Sequence, residues 1–362
     1  MNETIGAYKR IAQAVLKAEK NLGKSVVANN THALILAAEA LENGLRPCLL
    51  GVKNTPVMPR DLIARLCADN FIWHTIDKAA TGGRAIDVDL LNPLTGRPMT
   101  GSSSGSAVNV LLGINDLALG TDGGGSVLAP ALACNLYSVL LAGCGYKSNS
   151  VGRSTDGIAF SSSVGMIARD WQVAKAALGL LALLETDRLW PATIAVPATG
   201  NITLPDGSDM QARLLPVIEQ LQQLGIECRE THFPDFVDRT QSISAMEKIL
   251  QNFDTVMTFE GPVDLLGFGD SVFGLSGETS RAVQNQSGKY LVKIANMLDM
   301  TAVTLPHGDA AAGIVLATTS GKANAAALFK LIDKLAPNFQ RNELHDRYFA
   351  AGGFGESLIF AV

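Results

Sequence analysis

Two glycine- and serine-rich runs constrain this chain more than any other feature: Thr100-Gly101-Ser102-Ser103-Ser104-Gly105-Ser106-Ala107, and Leu119-Gly120-Thr121-Asp122-Gly123-Gly124-Gly125-Ser126. An apolar stretch separates them. Glycine takes backbone conformations closed to other residues and lets N–H groups approach a ligand, so each run predicts a turn that presents a serine, Ser102 in the first and Ser126 in the second. Backbone donors gathered beside a serine suit oxyanion stabilisation next to a nucleophile, and hence acyl transfer. Each run alone has a blander reading. A Ser/Gly run is commonly a flexible loop, and residues 121–126 could cradle a phosphate, although no Gly-Lys-Ser/Thr follows as a phosphate loop requires.

Around these runs helix and strand patterns alternate. Ile5, Tyr8, Ile11, Ala12 and Val15 recur at helical spacing and predict an amphipathic helix over 4–20, packed on the body of the protein or on a second copy in a homodimer. A helix over 31–43 should stop at Gly44. A buried strand over 49–52 then delivers Lys53 to its end, where α/β folds commonly place chemistry. A core helix is expected over 107–112, a short strand over 116–120, and a turn over 121–125 that presents Ser126. Further along, the pattern predicts a helix over 171–184, a strand over 193–196, a helix over 211–224 ended by Gly225, and a strand over 226–229. This alternation predicts an α/β layered fold.

Composition narrows the function classes. With 17% charged and 47% hydrophobic residues and no linker-like segment, residues 1–362 read as one domain with an extensive core. A net charge of -5 leaves no basic footprint for nucleic acid. The five cysteines form no C-x-x-C pair and are odd in number, which argues against a disulfide framework or a zinc site; Cys134 and Cys144 read as small buried hydrophobes. The polar start Met1-Asn2-Glu3-Thr4 is unlike a secretory signal, and no apolar run approaches the ~20 residues needed to span a bilayer. The expectation is a cytoplasmic protein with neither a membrane nor a nucleic-acid partner.

Serine is a poor nucleophile until a base takes its proton. His74, His307 and His345 could each serve a Ser-His-Asp site. Lysine serves only when neutral, so its usual pKa near ~10.4 must be lowered by burial or a positive neighbour. The apolar run Leu49-Leu50-Gly51-Val52 before Lys53 is consistent with such a setting.

The two runs, in this order and with Ser102 and Ser126 24 residues apart, resemble the amidase signature family of serine hydrolases. Upstream, Leu49-Leu50-Gly51-Val52-Lys53-Asn54-Thr55 resembles the family's strand ending in V-K-D-N, whose lysine is the base of a Ser-Ser-Lys triad. Downstream, residues 156–163 and Gly165-Met166-Ile167-Ala168-Arg169 resemble a further family segment, and residues 253–258 and 301–306 echo its core strands. The resemblance implies a central mixed β-sheet flanked by helices on both faces, with no metal or cofactor. It also implies that Lys53 draws a proton from Ser102, that Ser102 relays one from Ser126, and that Ser126 attacks a small-molecule amide carbonyl. The product side is a carboxylate plus ammonia or amine, released through a seryl acyl-enzyme. The N–H groups of Gly123, Gly124, Gly125 and Ser126 would form the oxyanion hole, and Ser102 would follow a cis peptide bond from Gly101, a geometry costing roughly 3–4 kcal/mol. Ser103, Thr121 and Asp122 are expected to support the loops, Ser103 by a hydrogen bond of its hydroxyl, and Arg169 to pair with a carboxylate. Two alternatives stand beside hydrolysis: a glutaminase-type subunit of an amidotransferase, and a catalytically silent binding or scaffold protein.

The chain also departs from the family pattern. Ser104 stands where glycine is usual, Val127-Leu128 where an apolar residue and then arginine are usual, and Asn54 where aspartate is usual. The 49 residues from Lys53 to Ser102 make a short interval. These features predict a trimmed member, shortened there and in the middle region that normally covers substrate, with a pocket that is more open or completed by a neighbouring subunit.

Overall fold

Several short, largely apolar segments form the buried centre of a sheet. The computed structural model describes residues 2–191, 193–339 and 346–350. Among them a twelve-stranded mixed sheet flanked by helices carries the architecture. Its strands run in the order Val26–Asn29, Phe71–Asp77, Cys48–Lys53, Leu117–Asp122, Ala159–Ala168, Tyr137–Leu141, Thr301–Pro306, Gly313–Thr318, Thr255–Glu260, Thr193–Pro197 and Glu227–Thr231. Lys147–Arg153 pairs alongside Ala159–Ala168. Leu117–Asp122, Tyr137–Leu141, Thr255–Glu260, Thr301–Pro306 and Gly313–Thr318 are buried at every position. Strands covered on both faces need apolar residues nearly throughout, which removes the period-two signal. The echoes at 253–258 and 301–306 fall on two of these strands.

Cys48–Lys53 lies parallel to both Phe71–Asp77 and Leu117–Asp122, with Lys53 opposite Asp77 and Val52 opposite Leu119. The carboxyl ends of three neighbouring strands therefore meet at one edge, which brings Lys53 beside Thr121 and Asp122.

The first helix, Asn2–Lys20, buries Ile11, Ala14, Val15 and Ala18 and leaves Ile5 and Tyr8 exposed, so its inward stripe is rotated from the expected one. It packs against Ala33–Glu42 through Ala33 and Ala37, over Leu49 and Ile72. Met210–Gln223, Thr193–Pro197 and Glu227–Thr231 form where the pattern predicted them. The helix expected to reach 184 is Trp171–Leu180. Ala182 takes φ +55°, and the turn closes through Ala182 N–H to Gly179 O and Leu183 N–H to Leu178 O. Leu181 and Leu183 stay buried beyond that turn, so the apolar pattern outruns the helix.

Two boundaries differ within the serine runs. The helix Ser104–Leu111 starts inside the first run and is buried throughout. A β-carbon on Gly105 would lie 2.6 Å from Ser25 O and 2.7 Å from Lys78 N, so only glycine fits that helix turn. The strand Leu117–Asp122 takes in Thr121 and Asp122, which leaves residues 123–125 as the turn. All five cysteines are free, Cys134 and Cys144 being buried. No described helix is long and apolar enough to cross a membrane.

Candidate active site

Lys53, the last residue of its strand, is 5% exposed. Its Nζ lies 2.7 Å from Ser102 Oγ, 2.9 Å from Thr121 Oγ1 and 3.3 Å from Thr121 O. No carboxylate pairs with it among the described residues. Burial lowers its pKa from 10.5 to about 8, with the Asp122 charge opposing. Three oxygens suit the three donors of an ammonium. When the amine is neutral, one of the two facing hydroxyls can turn its proton towards the nitrogen lone pair.

Ser102 reaches Lys53 through the geometry of Gly101. That glycine has φ +71°, donates its N–H to Ala85 O at 2.6 Å, and has no room for a side chain, since a β-carbon would lie 2.5 Å from Pro130 Cδ. The expected cis bond between Gly101 and Ser102 is not present: among the described residues the cis peptide bond is that between Gly261 and Pro262. The left-handed turn at Gly101 lets a trans-linked Ser102 meet Lys53. Gly101→Ala is accordingly expected to lower stability by about 1–3 kcal/mol and to slow turnover by displacing Ser102, as measured by urea denaturation beside a hydrolysis assay.

Asp122 fastens the second turn. Oδ1 accepts from Gly125 N–H at 2.7 Å, and Oδ2 from Val127 N–H at 2.6 Å and Leu128 N–H at 3.2 Å. Burial raises its pKa, while these N–H groups and Lys53 pull the other way. The Gly125 N–H is thus committed to Asp122, which removes it from the expected oxyanion set. No hydrogen bond among the described residues occupies the N–H groups of Gly123, Gly124 and Ser126. Asp122→Ala strips three buried donors of their acceptor and should cost on the order of 3 kcal/mol or more in chemical denaturation.

Ser103 holds the loops in a different way from that expected. Its hydroxyl is buried without a hydrogen-bond partner and fills the space left by Gly120, whose β-carbon would lie 2.6 Å from Ser103 Oγ. The tie runs through the backbone, Ser103 N–H donating to Ser126 O at 3.1 Å. Ser104, the residue in place of glycine, donates to Asp87 Oδ2 at 2.6 Å, beside the ion pair of Asp87 with Lys78. Leu128, in place of arginine, is fully buried in the core. Arg169 pairs with Asp116 at 3.1 Å, as expected, and Arg10 joins the same carboxylate.

Ser126 is half-buried and lines an open cleft of about 290 Å³ together with Ser102, Thr121, Gly123 and Gly124. No hydrogen bond joins its side chain to Ser102 among the described residues. Phe160 packs against Gly123, where a β-carbon would lie 2.1 Å from the ring, and Asn296 Nδ2 donates to Gly123 O at 3.3 Å and Ser161 O at 2.9 Å. Arg84, Arg153, Arg239 and Asp270 also line the cleft. Sequence reasoning missed these distant residues, because nothing local marks them as neighbours of Ser126. His74 is buried with Nδ1 3.1 Å from both Ile114 O and Asn115 Oδ1, and His307 packs edge-on against Phe259; neither lines the cleft. His345 lies outside the described residues.

The whole architecture is similar to solved structures of low sequence identity. One is an amidase, with TM-score 0.60 and 17% identity, covering 91% of this chain and 96% of that one. Another is 6-aminohexanoate cyclic dimer hydrolase complexed with substrate, with TM-score 0.64 and 14% identity, covering 93% and 95%. A third is a glutamyl-tRNA(Gln) amidotransferase subunit of Thermotoga maritima, with TM-score 0.60 and 15% identity, covering 91% and 92%. No curated protein matches the sequence. With residues 91–293, more than half of its length, matched by the family model described as Amidase, the chain belongs to the amidase family of hydrolases acting on C–N bonds.

Proposed function

We propose that the protein hydrolyses the carboxamide bond of a small molecule through an acyl-enzyme on Ser126, with Ser102 and Lys53 as proton relay and base. The observation that carries this reading is the 2.7 Å contact between a buried Lys53 Nζ and the Oγ of Ser102, which lines the same cleft as Ser126. Neutral Lys53 accepts the Ser102 proton while Ser102 accepts that of Ser126, and Ser126 Oγ attacks the carbonyl carbon. The N–H groups of Gly123, Gly124 and Ser126 receive the negative charge on oxygen. As the C–N bond breaks, the proton returns through Ser102 to the departing nitrogen, and water then repeats the sequence on the ester. The hydrogen bond from Ser126 to Ser102 forms as substrate settles, since catalytic hydrogen bonds commonly tighten only in the complex.

Intact-mass analysis after incubation with phenylmethanesulfonyl fluoride tests the reading. One adduct, mapped to Ser126 and absent from Ser126→Ala, is the expected result. An adduct elsewhere, or none on a folded sample, would count against Ser126 as the activated serine.

A further inference from the structure

The charge around Ser126 opposes that of the chain as a whole. Arg84, Arg153, Arg239, Lys289 and Lys293 line the cleft and a smaller cavity of about 50 Å³ that shares Gly124, Ser126 and Arg239 with it, against the single carboxylate of Asp270, in a protein of net charge -5. Three of these cations have acidic partners. Arg84 pairs with Asp270, Lys289 with Asp264 at 2.6 Å, and Arg239 Nη1 with Asp156 Oδ1 at 3.0 Å.

Lys293 has no such partner. Its Nζ donates to Phe236 O, and no carboxylate pairs with it among the described residues. Glu260, a buried carboxylate near it, is already occupied by the N–H groups of Tyr290 and Leu291 and by the Thr258 hydroxyl. Burial, with the Arg239 and Lys289 charges adding to it and those of Glu260 and Asp235 opposing, lowers the Lys293 pKa to about 8. Gly124, Gly125 and Ser126 line the smaller cavity together with Val237, Arg239 and Lys293. Arg239 also keeps a buried Nε without a partner, and its Nη1 lies 4.0 Å from where a β-carbon on Gly124 would stand. Both cations are half-buried, and a partly desolvated ammonium with no carboxylate in contact gains from an incoming anion. A guanidinium beside an ammonium matches the two oxygens of a carboxylate.

From this geometry we propose that the enzyme selects amides carrying a carboxylate a few atoms from the scissile carbonyl, with Arg239 and Lys293 binding that carboxylate. The inference rests on the reading of Ser126 as the acylated residue, and a binding measurement separates the two. Titration calorimetry on the full chain carrying Ser126→Ala should show glutarate binding at least about tenfold more tightly than neutral glutaramide. Adding Lys293→Met or Arg239→Gln should weaken glutarate by about tenfold or more, and Lys293→Arg should restore most of it. In the unmodified enzyme, kcat/KM for glutaramate should exceed that for butyramide by roughly a hundredfold, and Lys293→Met should reduce that ratio, mainly through KM. Equal binding of glutarate and glutaramide, or glutarate binding indifferent to both cation changes, overturns the proposal. Should Lys293→Met fail to fold, the comparison of the two ligands on the intact site and the Arg239→Gln titration still decide it. Glutarate binding through Lys293 without a sulfonyl adduct on Ser126 would keep the anion site and reject the nucleophile.

Discussion

Ser126→Ala is expected to reduce amide hydrolysis on the order of a million-fold while leaving the fold intact, because loss of a nucleophile that acts with its base as a unit removes nearly all the covalent pathway. The side chain is half-buried and holds no hydrogen bond that the turn depends on. What fixes the turn is the Asp122 carboxylate on the N–H groups of Gly125, Val127 and Leu128, together with Ser126 O accepting from Ser103, and alanine keeps all of these. The variant should therefore melt within about 1 kcal/mol of the parent, as substitutions away from buried polar networks usually do. Ammonia release from a panel of small amides, read beside thermal denaturation, checks both halves. Undiminished release would remove Ser126 as nucleophile. A folded parent that releases nothing and takes no sulfonyl adduct would favour the silent binding protein over the hydrolase.

The parts of this site that were legible in the sequence are those joined by local rules. The two serine runs, the strand that ends on Lys53 and the glycine that follows the second helix all rest on short-range chemistry, and the structure bears out these elements. The finer hydrogen bonding was not legible. Asp122 was expected to hold its turn, but only the folded turn shows that it takes the Gly125 N–H away from the oxyanion set. The Ser103 hydroxyl packs into the space left by Gly120 without a hydrogen bond, a neighbour that only the folded strand supplies. Boundaries failed where burial continued past a turn, as at Leu181 and Leu183, since an apolar pattern reports the core and not the helix. The cations of the cleft were invisible for a different reason. Arg239 follows its helix cap Asp238, Lys293 sits in a short helical turn, and each is an ordinary residue until the sheet brings them beside Ser126.

Lys53→Ala is expected to cost about ten-thousand-fold in kcat/KM, the upper range for loss of a positioned general base. The parent enzyme's pH profile carries the sharper discrimination. Burial takes the Lys53 pKa from 10.5 to about 8, so the neutral, proton-accepting form is the minority at pH 7. The rate should then rise about tenfold per pH unit up to pH 8 and level off above it. A histidine base with an ordinary pKa near ~6.5 would instead give a plateau already reached by neutral pH. The same shift has a consequence for stability that is independent of turnover. Between pH 8 and 10.5 the unfolded lysine holds a proton that the folded one has released, so stability should rise with pH across that window. Lys293, also lowered to about 8, adds a slope of the same sign, and Lys53→Met should therefore lose only part of the rise. Urea denaturation at pH 7, 8.5 and 10 in both proteins measures the difference. An activity plateau reached by pH 7, with parent and Lys53→Met stabilities parallel across pH, would mean that Lys53 stays charged at neutral pH and acts through its contacts with Ser102 and Thr121 without accepting a proton.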